Sequence, residues 1–286
     1  MINVPCLLSA ILLFFGNLLR IIHSTSERKR FNYGKMRSLD PSFLESEWAH
    51  RQDTRAIYSA SEFLLALGWL ALCVPIIQLV WILSKGGRKR IGMHLLICAL
   101  AVAGSITELL SRLMVVGVQN ASEWVAREFN LDRWLSSGED DGLGWRTLEV
   151  VHILTRSIAL WVDAFNWLAL SGILITLYCS MRKDKEGNAA FGRRWSILGL
   201  VIGVLSFLDF LTYVLRYEKW VAFWAIALVL STLNSLLLLP IWLIVVGLRL
   251  PKASEQFESD AFPGESDAFV GGNEQGFNDE QGVEFS

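Results

Sequence analysis

The sequence has only four cysteines, and none of them lies in a polar loop. Cys6, Cys73, Cys98 and Cys179 all fall inside long apolar stretches, a placement that excludes a disulfide framework and a CxxC metal or redox site. A phosphate-binding glycine loop, a serine nucleophile elbow and an HExxH motif are also lacking. No motif therefore names a reaction, and we predict no catalytic residue, no cofactor and no metal site.

The long apolar stretches also lack lysine, and they carry no arginine at every third position. The first absence excludes a retinal Schiff base, and the second excludes a voltage-sensing helix of the arginine-rich type. The net charge is only −2, with basic loops and an acidic tail offsetting each other. We expect no nucleic-acid partner.

Apolar residues are abundant instead: they make up 53% of the chain, and the mean hydropathy is +0.41. A membrane helix needs roughly 20 mostly apolar residues to cross ~30 Å of hydrocarbon. The sequence predicts an all-α, polytopic transmembrane helix bundle of five or six spans, with a disordered acidic C-terminal tail. The qualifying stretches run from Val4 to Ile22, Ile57 to Leu83, Ile91 to Val118, Leu148 to Ser180, Trp195 to Leu215 and Val221 to Leu248.

The charges of the loops predict the orientation. Residues 85–90 and 182–194 are short basic loops, and such loops tend to remain in the cytoplasm. The loop at 119–146 then lies outside and the C-terminus inside. Asn120 begins the sequon Asn-Ala-Ser on the predicted outer side, which makes it a glycosylation candidate. The sequence does not distinguish the plasma membrane from an endomembrane.

The N-terminal region allows two interpretations. Residues 1–22 are either a signal peptide or the first transmembrane helix. The stretch lacks a basic n-region, which favours a retained helix. Residues 23–56 are predicted to be an extracytoplasmic polar segment, yet they include Arg28, Lys29 and Arg30, whose charge opposes that orientation. The helix bundle itself is assigned to residues 57–250.

The outer loop contains the pattern of a separate amphipathic helix. Ser122 could cap it, and Trp124, Val125, Phe129 and Trp134 would form its apolar side. Such a helix would lie in the lipid headgroup region or cover the bundle.

The tail, residues 251–286, is rich in Glu, Asp, Gly and Ser and is predicted to be disordered. It repeats Ser-Asp-Ala-Phe at Ser259 and Ser266. Isolated phenylalanines in an acidic chain resemble short docking motifs for cytosolic proteins. A purely solvating tail explains the composition equally well.

Polar residues inside the apolar stretches follow helical spacing. At ~100° per residue, Glu108 and Arg112 share a face, and four-residue spacing suits an ion pair. Ionisable groups in a membrane interior are costly and by default mark a functional site. The predicted polar pocket comprises Glu62, Glu108, Arg112, Glu149, His152, Arg156, Asp163, Asn166, Asp209 and Arg216.

Depth along the helices gives this pocket a direction. With a rise of ~1.5 Å per residue, most of these residues lie in the outer half, and Asp163 lies near the middle. The cytoplasmic half contains almost nothing ionisable, and His94 lies at its edge. The pocket would therefore open outward above an apolar floor.

Three functions fit such a pocket. The first is a non-enzymatic binding, sensing or membrane-complex protein, which would take a polar solute or a partner transmembrane helix. The second is a transporter or channel subunit that uses the same charges. The third, more distant, is an intramembrane metal-dependent enzyme built on Glu149 and His152, whose Glu-x-x-His spacing occurs in di-iron bundles. A structural network of salt bridges without a ligand is the alternative to all three.

Gly199 and Gly203 form a GxxxG pattern in an apolar span. Such a pattern allows close helix approach, either in a dimer or within one chain. The sequence leaves the oligomeric state open.

Overall fold

The computed structural model describes residues 3–30, 41–85, 91–128, 143–182, 193–215, 226 and 229–261. The regular elements in these ranges are all helical, which confirms the all-α prediction. Residues 229–232 lead into a π-helical segment that continues directly as the last helix. The elements are α1 (Val4–Arg30), α2 (Pro41–Lys85), α3 (Ile91–Glu128), α4 (Leu143–Arg182), α5 (Arg193–Leu215), the π segment (Leu233–Leu238) and α6 (Leu239–Ala261).

Within the described ranges, six helical stretches are long and apolar enough to cross a membrane. This confirms a polytopic bundle, and the count agrees with the larger of the two predicted numbers. The stretches are Val4–His23, Thr54–Ser84, Ile91–Ser122, Ser157–Met181, Arg193–Leu215 and Val229–Ala253.

Several helices extend beyond the predicted spans. In the predicted polar segment 23–56, α1 continues to Arg30 and α2 already begins at Pro41. At the other end of the chain α6 continues to Ala261, so residues 251–261 of the segment assigned to the tail are helical. Phe257 of the tail lies in this helix, and residues 262–286, which carry the other four tail phenylalanines, lie outside the described residues.

The prediction that a separate amphipathic helix begins near Ser122 in the outer loop is wrong. Residues 119–128 continue α3, and Ser122 is buried within that helix instead of capping a new one. The stretch contains no Gly or Pro that would interrupt the helix. Phe129 and Trp134 lie outside the described residues.

Helices that follow one another in sequence pack side by side, and α6 closes the bundle against α1. Asn3, just before α1, donates its backbone N–H to the carbonyl of Gly247 in α6 at 2.9 Å. Asn17, further along α1, meets Ser235 of the π segment. The helix α1 therefore runs antiparallel to α6, and its start lies beside the later part of α6.

Glycines allow α1 and α2 to approach closely. A Cβ on Gly16 would lie 2.9 Å from Cγ of Leu65, and a Cβ on Gly68 would lie 3.0 Å from Cδ2 of Leu13. Ser9 adds a hydrogen bond to the carbonyl of Gly68 at 2.8 Å. Small residues at a contact of this kind bring two membrane helices into backbone-to-backbone packing.

The GxxxG glycines of α5 are used within the chain. A Cβ on Gly199 would lie 3.1 Å from Nε1 of Trp242 in α6, and a Cβ on Gly203 would lie 3.2 Å from Cβ of Leu174 in α4. Trp242 also stacks on Trp195 with ring centroids 5.2 Å apart. Of the two interpretations of this pattern, intrachain packing is the one that the structure displays.

We predict that Gly16→Val destabilises the bundle by about 1–3 kcal/mol, because the new methyl groups overpack the α1–α2 contact. The free energy of unfolding in mixed micelles measures this effect. Gly117→Val is the matched control, since nothing lies within 4 Å of a Cβ at that position. Equal stability of the two variants would contradict the packing of α1 against α2.

Candidate functional site

Arg112 of α3 is bound by three carboxylates from three helices. Its Nη1 lies 2.6 Å from Oε2 of Glu62 in α2, and its Nη2 lies 3.1 Å from Oδ1 of Asp163 in α4. Its Nε donates to Oε1 of Glu108, one turn earlier on α3, at 2.8 Å. The predicted four-residue ion pair is thus formed, and the guanidinium joins α2, α3 and α4 at one point.

These groups are removed from solvent. The side chain of Arg112 is 8% exposed, and those of Glu62, Glu108 and Asp163 are 1%, 0% and 4% exposed. Charge-assisted hydrogen bonds are the strong ones in proteins, and low surrounding polarity strengthens them further. In this conformation the four side chains form a closed network.

Asn166 extends the network on α4. Its Nδ2 donates to the second oxygen of Glu108, Oε2, at 3.1 Å. We call Arg112, Glu62, Glu108, Asp163 and Asn166 the Arg112 cluster. All five residues belong to the polar pocket predicted from the sequence.

A small cavity adjoins the cluster on the side of Asn166. Its volume is about 10 Å³, and Ser105, Trp69 and Leu170 also line it. A water molecule needs a cavity of roughly 10–15 Å³. The cavity has room for about one water and for no larger solute.

Arg20 of α1 belongs to the periphery of the cluster, and the sequence analysis missed it. Its Nε lies 4.0 Å from Oε1 of Glu62, and its side chain is 38% exposed. That Oε1 accepts no hydrogen bond from the described residues. Arg20 lies near the end of the first apolar stretch, at the same predicted outer depth as the pocket residues. That depth could have indicated that it belongs to the site.

Asp209 of α5 is fully buried but is not joined to Arg112. Its residue exposure is 0%, and neither carboxyl oxygen has a hydrogen-bond donor among the described residues. The charged group that acts on it is the carboxylate of Asp163 on α4. Tyr213 lies one turn further along α5 and interacts with both acids.

A second set of polar contacts surrounds the π segment. Asn234 donates its Nδ2 to Oγ of Ser206 on α5 at 2.8 Å, while Ser235 donates its Oγ to Oδ1 of Asn17 on α1 at 3.1 Å. A π turn changes the register of a helix and is frequent at functional sites. Here it allows two adjacent residues to reach two different helices.

The other predicted pocket residues are placed less completely. Glu149, His152 and Arg156 lie on the first part of α4, where the backbone is described and their side chains are not. Arg216 lies outside the described residues. Asn120, the glycosylation candidate, is exposed on α3. Among the side chains that the structure describes, no group of three or more His, Cys, Asp or Glu is arranged to hold a metal ion.

We predict that Arg112→Gln lowers the free energy of unfolding by about 3–5 kcal/mol, because it leaves buried carboxylates without their cation. Glu62→Gln should destabilise the wild-type chain but stabilise the Arg112→Gln chain, since it then removes an uncompensated charge. Unfolding in mixed micelles measures both effects.

Arg193→Gln is the control for this pair, because Arg193 is an exposed arginine at the start of α5. It should change stability by less than about 0.5 kcal/mol. If Glu62→Gln had the same sign in both backgrounds, the two side chains would not be coupled.

Comparison with known proteins adds no relative from which a function could be transferred. No protein-family model matches the sequence, and no curated protein or solved structure matches it significantly. The chain is a multi-pass membrane protein on its own evidence of six apolar helices, and its candidate site is defined by its own side chains.

Proposed function

We propose that this is a non-enzymatic membrane protein that binds or senses a small amine-bearing cation at the Arg112 cluster. One observation carries the proposal: three carboxylates converge on a single guanidinium inside the bundle. One guanidinium does not neutralise three carboxylates, and the second cation, Arg20, makes only a 4.0 Å contact with Glu62, so the cluster has the charge to hold another cation in its place. The number of charges also exceeds what a pair fixing helix register would require.

The entrance to the cluster would lie at Arg20. This side chain is the half-exposed member, its contact with Glu62 is 4.0 Å long, and the oxygen it faces accepts no hydrogen bond from the described residues. An amine would offer that oxygen the N–H donor that it lacks. We therefore propose that the incoming cation replaces Arg20 at Glu62, while Arg112 keeps the remaining oxygens in place.

The apolar layer beyond the cluster favours binding over transport. On α2 the buried residues after Glu62 are apolar and include Leu65, Trp69 and Leu72, and on α4 those after Asn166 include Leu170 and Leu174. A path for ions or polar solutes would need polar groups through this layer. The buried pair of His94 and Ser180, 3.3 Å apart, lies at its far end.

A transporter or channel subunit is the second candidate. The π segment favours it, because Asn234 and Ser206 bring buried polar groups to the contact between α5 and the last span. A π turn can shift register, as a helix in a gate would have to do. An intramembrane enzyme would depend on His152, whose side chain lies outside the described set, and no contact supports it.

We also propose that α1 is retained as the first transmembrane helix and that both chain termini face the cytoplasm. Its close packing on α2 and its hydrogen bond to Gly247 support retention. Antiparallel packing on α6 brings the start of α1 and the later part of α6 to the same side. The basic loops at 85–90 and 182–194 favour the cytoplasm for that side.

Retention predicts that the intact mass of the protein, purified through a C-terminal tag, includes residues 1–22. In a cysteine-free variant, Arg20→Cys should react with a membrane-impermeant thiol reagent only from outside. A mass lacking the first 22 residues would contradict retention, and labelling from the cytoplasmic side would contradict the orientation.

Cation binding predicts a concentration-dependent rise in thermal stability of the protein in lipid nanodiscs with ammonium or alkylamines. A ligand at 100 times its Kd contributes about 2.7 kcal/mol to stability. Glu62→Gln should abolish the rise, because the acceptor is lost. Arg20→Gln should shift it to lower amine concentrations, because the competing cation is gone.

Two controls separate binding from a general salt effect. Sodium chloride at equal ionic strength should leave stability unchanged, and Arg193→Gln should respond to amines as the wild type does. An equal response of the wild type and Glu62→Gln would contradict a site at the Arg112 cluster. No response to any of these amines would contradict cation binding itself.

A further inference from the structure

Asp209 and Asn234 share an unusual property: both are fully buried polar side chains with oxygens that have no donor. The two carboxyl oxygens of Asp209 receive no hydrogen bond from the described residues, and neither does Oδ1 of Asn234. Both residues are 0% exposed. Buried polar groups in native proteins nearly always have a partner, so two such groups in one region require an explanation.

The two side chains belong to the same side of α5: Asn234 contacts that side, and Asp209 is part of it. Asn234 reaches from the π segment to Oγ of Ser206, and Asp209 lies three residues further along α5, on the same side of the helix. The Oγ of Ser206 donates in turn to the carbonyl of Ile202 at 2.8 Å. Ser206 therefore has no second hydrogen to offer to Asp209.

The oxygens that remain without a partner here are all acceptors. The hydroxyl of Tyr213 is a donor that interacts with both acids, but Asp209 receives no hydrogen bond from it or from any other described side chain. An ionised Asp209 would lie unpaired in apolar surroundings, at a large desolvation cost. Its charged neighbour on α4 is Asp163, which has the same sign. The two arginines described near it do not relieve this, because Arg112 is bound to three other carboxylates and Arg20 lies beside Glu62.

We propose that Asp209 is a proton-binding site and that the closed bundle holds it as the neutral acid. A proton on one carboxyl oxygen converts an acceptor into a donor, and it removes the like charge beside Asp163. The proton comes from water and returns to water as hydronium, so no further reactant is needed. This site is separate from the amine site proposed at Glu62, and it stands whether or not an amine binds there.

Ionisable groups on several helices belong to the surroundings of this acid. Among the described side chains, Asp163 on α4 and Tyr213 on α5 interact with Asp209 itself. Arg20 on α1 and Arg112 on α3 interact with Asp163 and Tyr213. The π segment contributes the neutral Asn234. Loss of the proton would place the negative charge of Asp209 beside that of Asp163. A nearby cation would be attracted, and Arg20 is less tightly bound than Arg112, since its contact with Glu62 is 4.0 Å long. Deprotonation would therefore weaken the contact between the Arg20 side chain and Glu62.

Infrared spectroscopy of the full-length protein in lipid nanodiscs tests the proton directly. At neutral pH the wild type should display the C=O stretch of a protonated carboxylic acid, shifted after equilibration in D₂O. Asp209→Asn should lose this band and Asp209→Glu should move it. Glu128→Gln, at an exposed acid at the end of α3, should leave it unchanged.

Stability against pH gives a second readout with a definite sign. The native state would hold a proton that the unfolded chain has released above the ordinary pKa of aspartate, about 3.9. Stability should then fall as pH rises, since the native state binds more protons than the unfolded state. Asp209→Asn introduces a neutral side chain of the same shape and should remain folded. Its stability should fall less steeply with rising pH than that of the wild type.

Three results would overturn the proposal. They are the absence of the band in the wild type, its persistence in Asp209→Asn, and its loss in Glu108→Gln instead, which would place the proton in the Arg112 cluster.

The amine response of Asp209→Asn separates the two proposals. If that response is retained while the band is lost, both sites exist and are distinct.

Discussion

The bundle depends on how the charge of Arg112 is kept inside it. An isolated guanidinium in apolar surroundings would be strongly destabilising, and only bound carboxylates make its burial tolerable. These carboxylates come from α2, α3 and α4, so satisfying one side chain fixes the rotation and height of three helices at once. The position of the remaining helices follows from packing onto that unit.

The two ends of the bundle are stabilised by different forces. Around the Arg112 cluster, directional charged hydrogen bonds hold the helices together. Beyond it, buried side chains such as Leu79, Leu174 and Leu243 form a close-packed apolar core. Between membrane helices, dispersion and close packing replace the hydrophobic effect, which is why the glycine contacts of α1 and α5 matter.

Buried polar atoms without a hydrogen bond from the described residues occur at both proposed sites. Glu62 keeps one oxygen without a hydrogen bond from the described residues, and Arg20 beside it is half exposed. Asn234, in the π segment, bonds Ser206 of α5, and Asp209 lies three residues further along α5. These are the positions at which we propose that a cation and a proton bind.

The sequence by itself predicted five or six apolar helices, the inward placement of Asp163 and Asp209, and the pairing of Glu108 with Arg112, because all of these depend on spacing along one chain segment. Only the tertiary structure decided which helices meet: that Glu62 and Asp163 complete the arginine, that Arg20 lies at the edge, that Asp209 remains apart, and that Gly199 packs on Trp242. Helical periodicity predicts which side of a helix is polar. The rotation and height of one helix against another depend on packing between segments far apart in sequence, and no single stretch of residues encodes them.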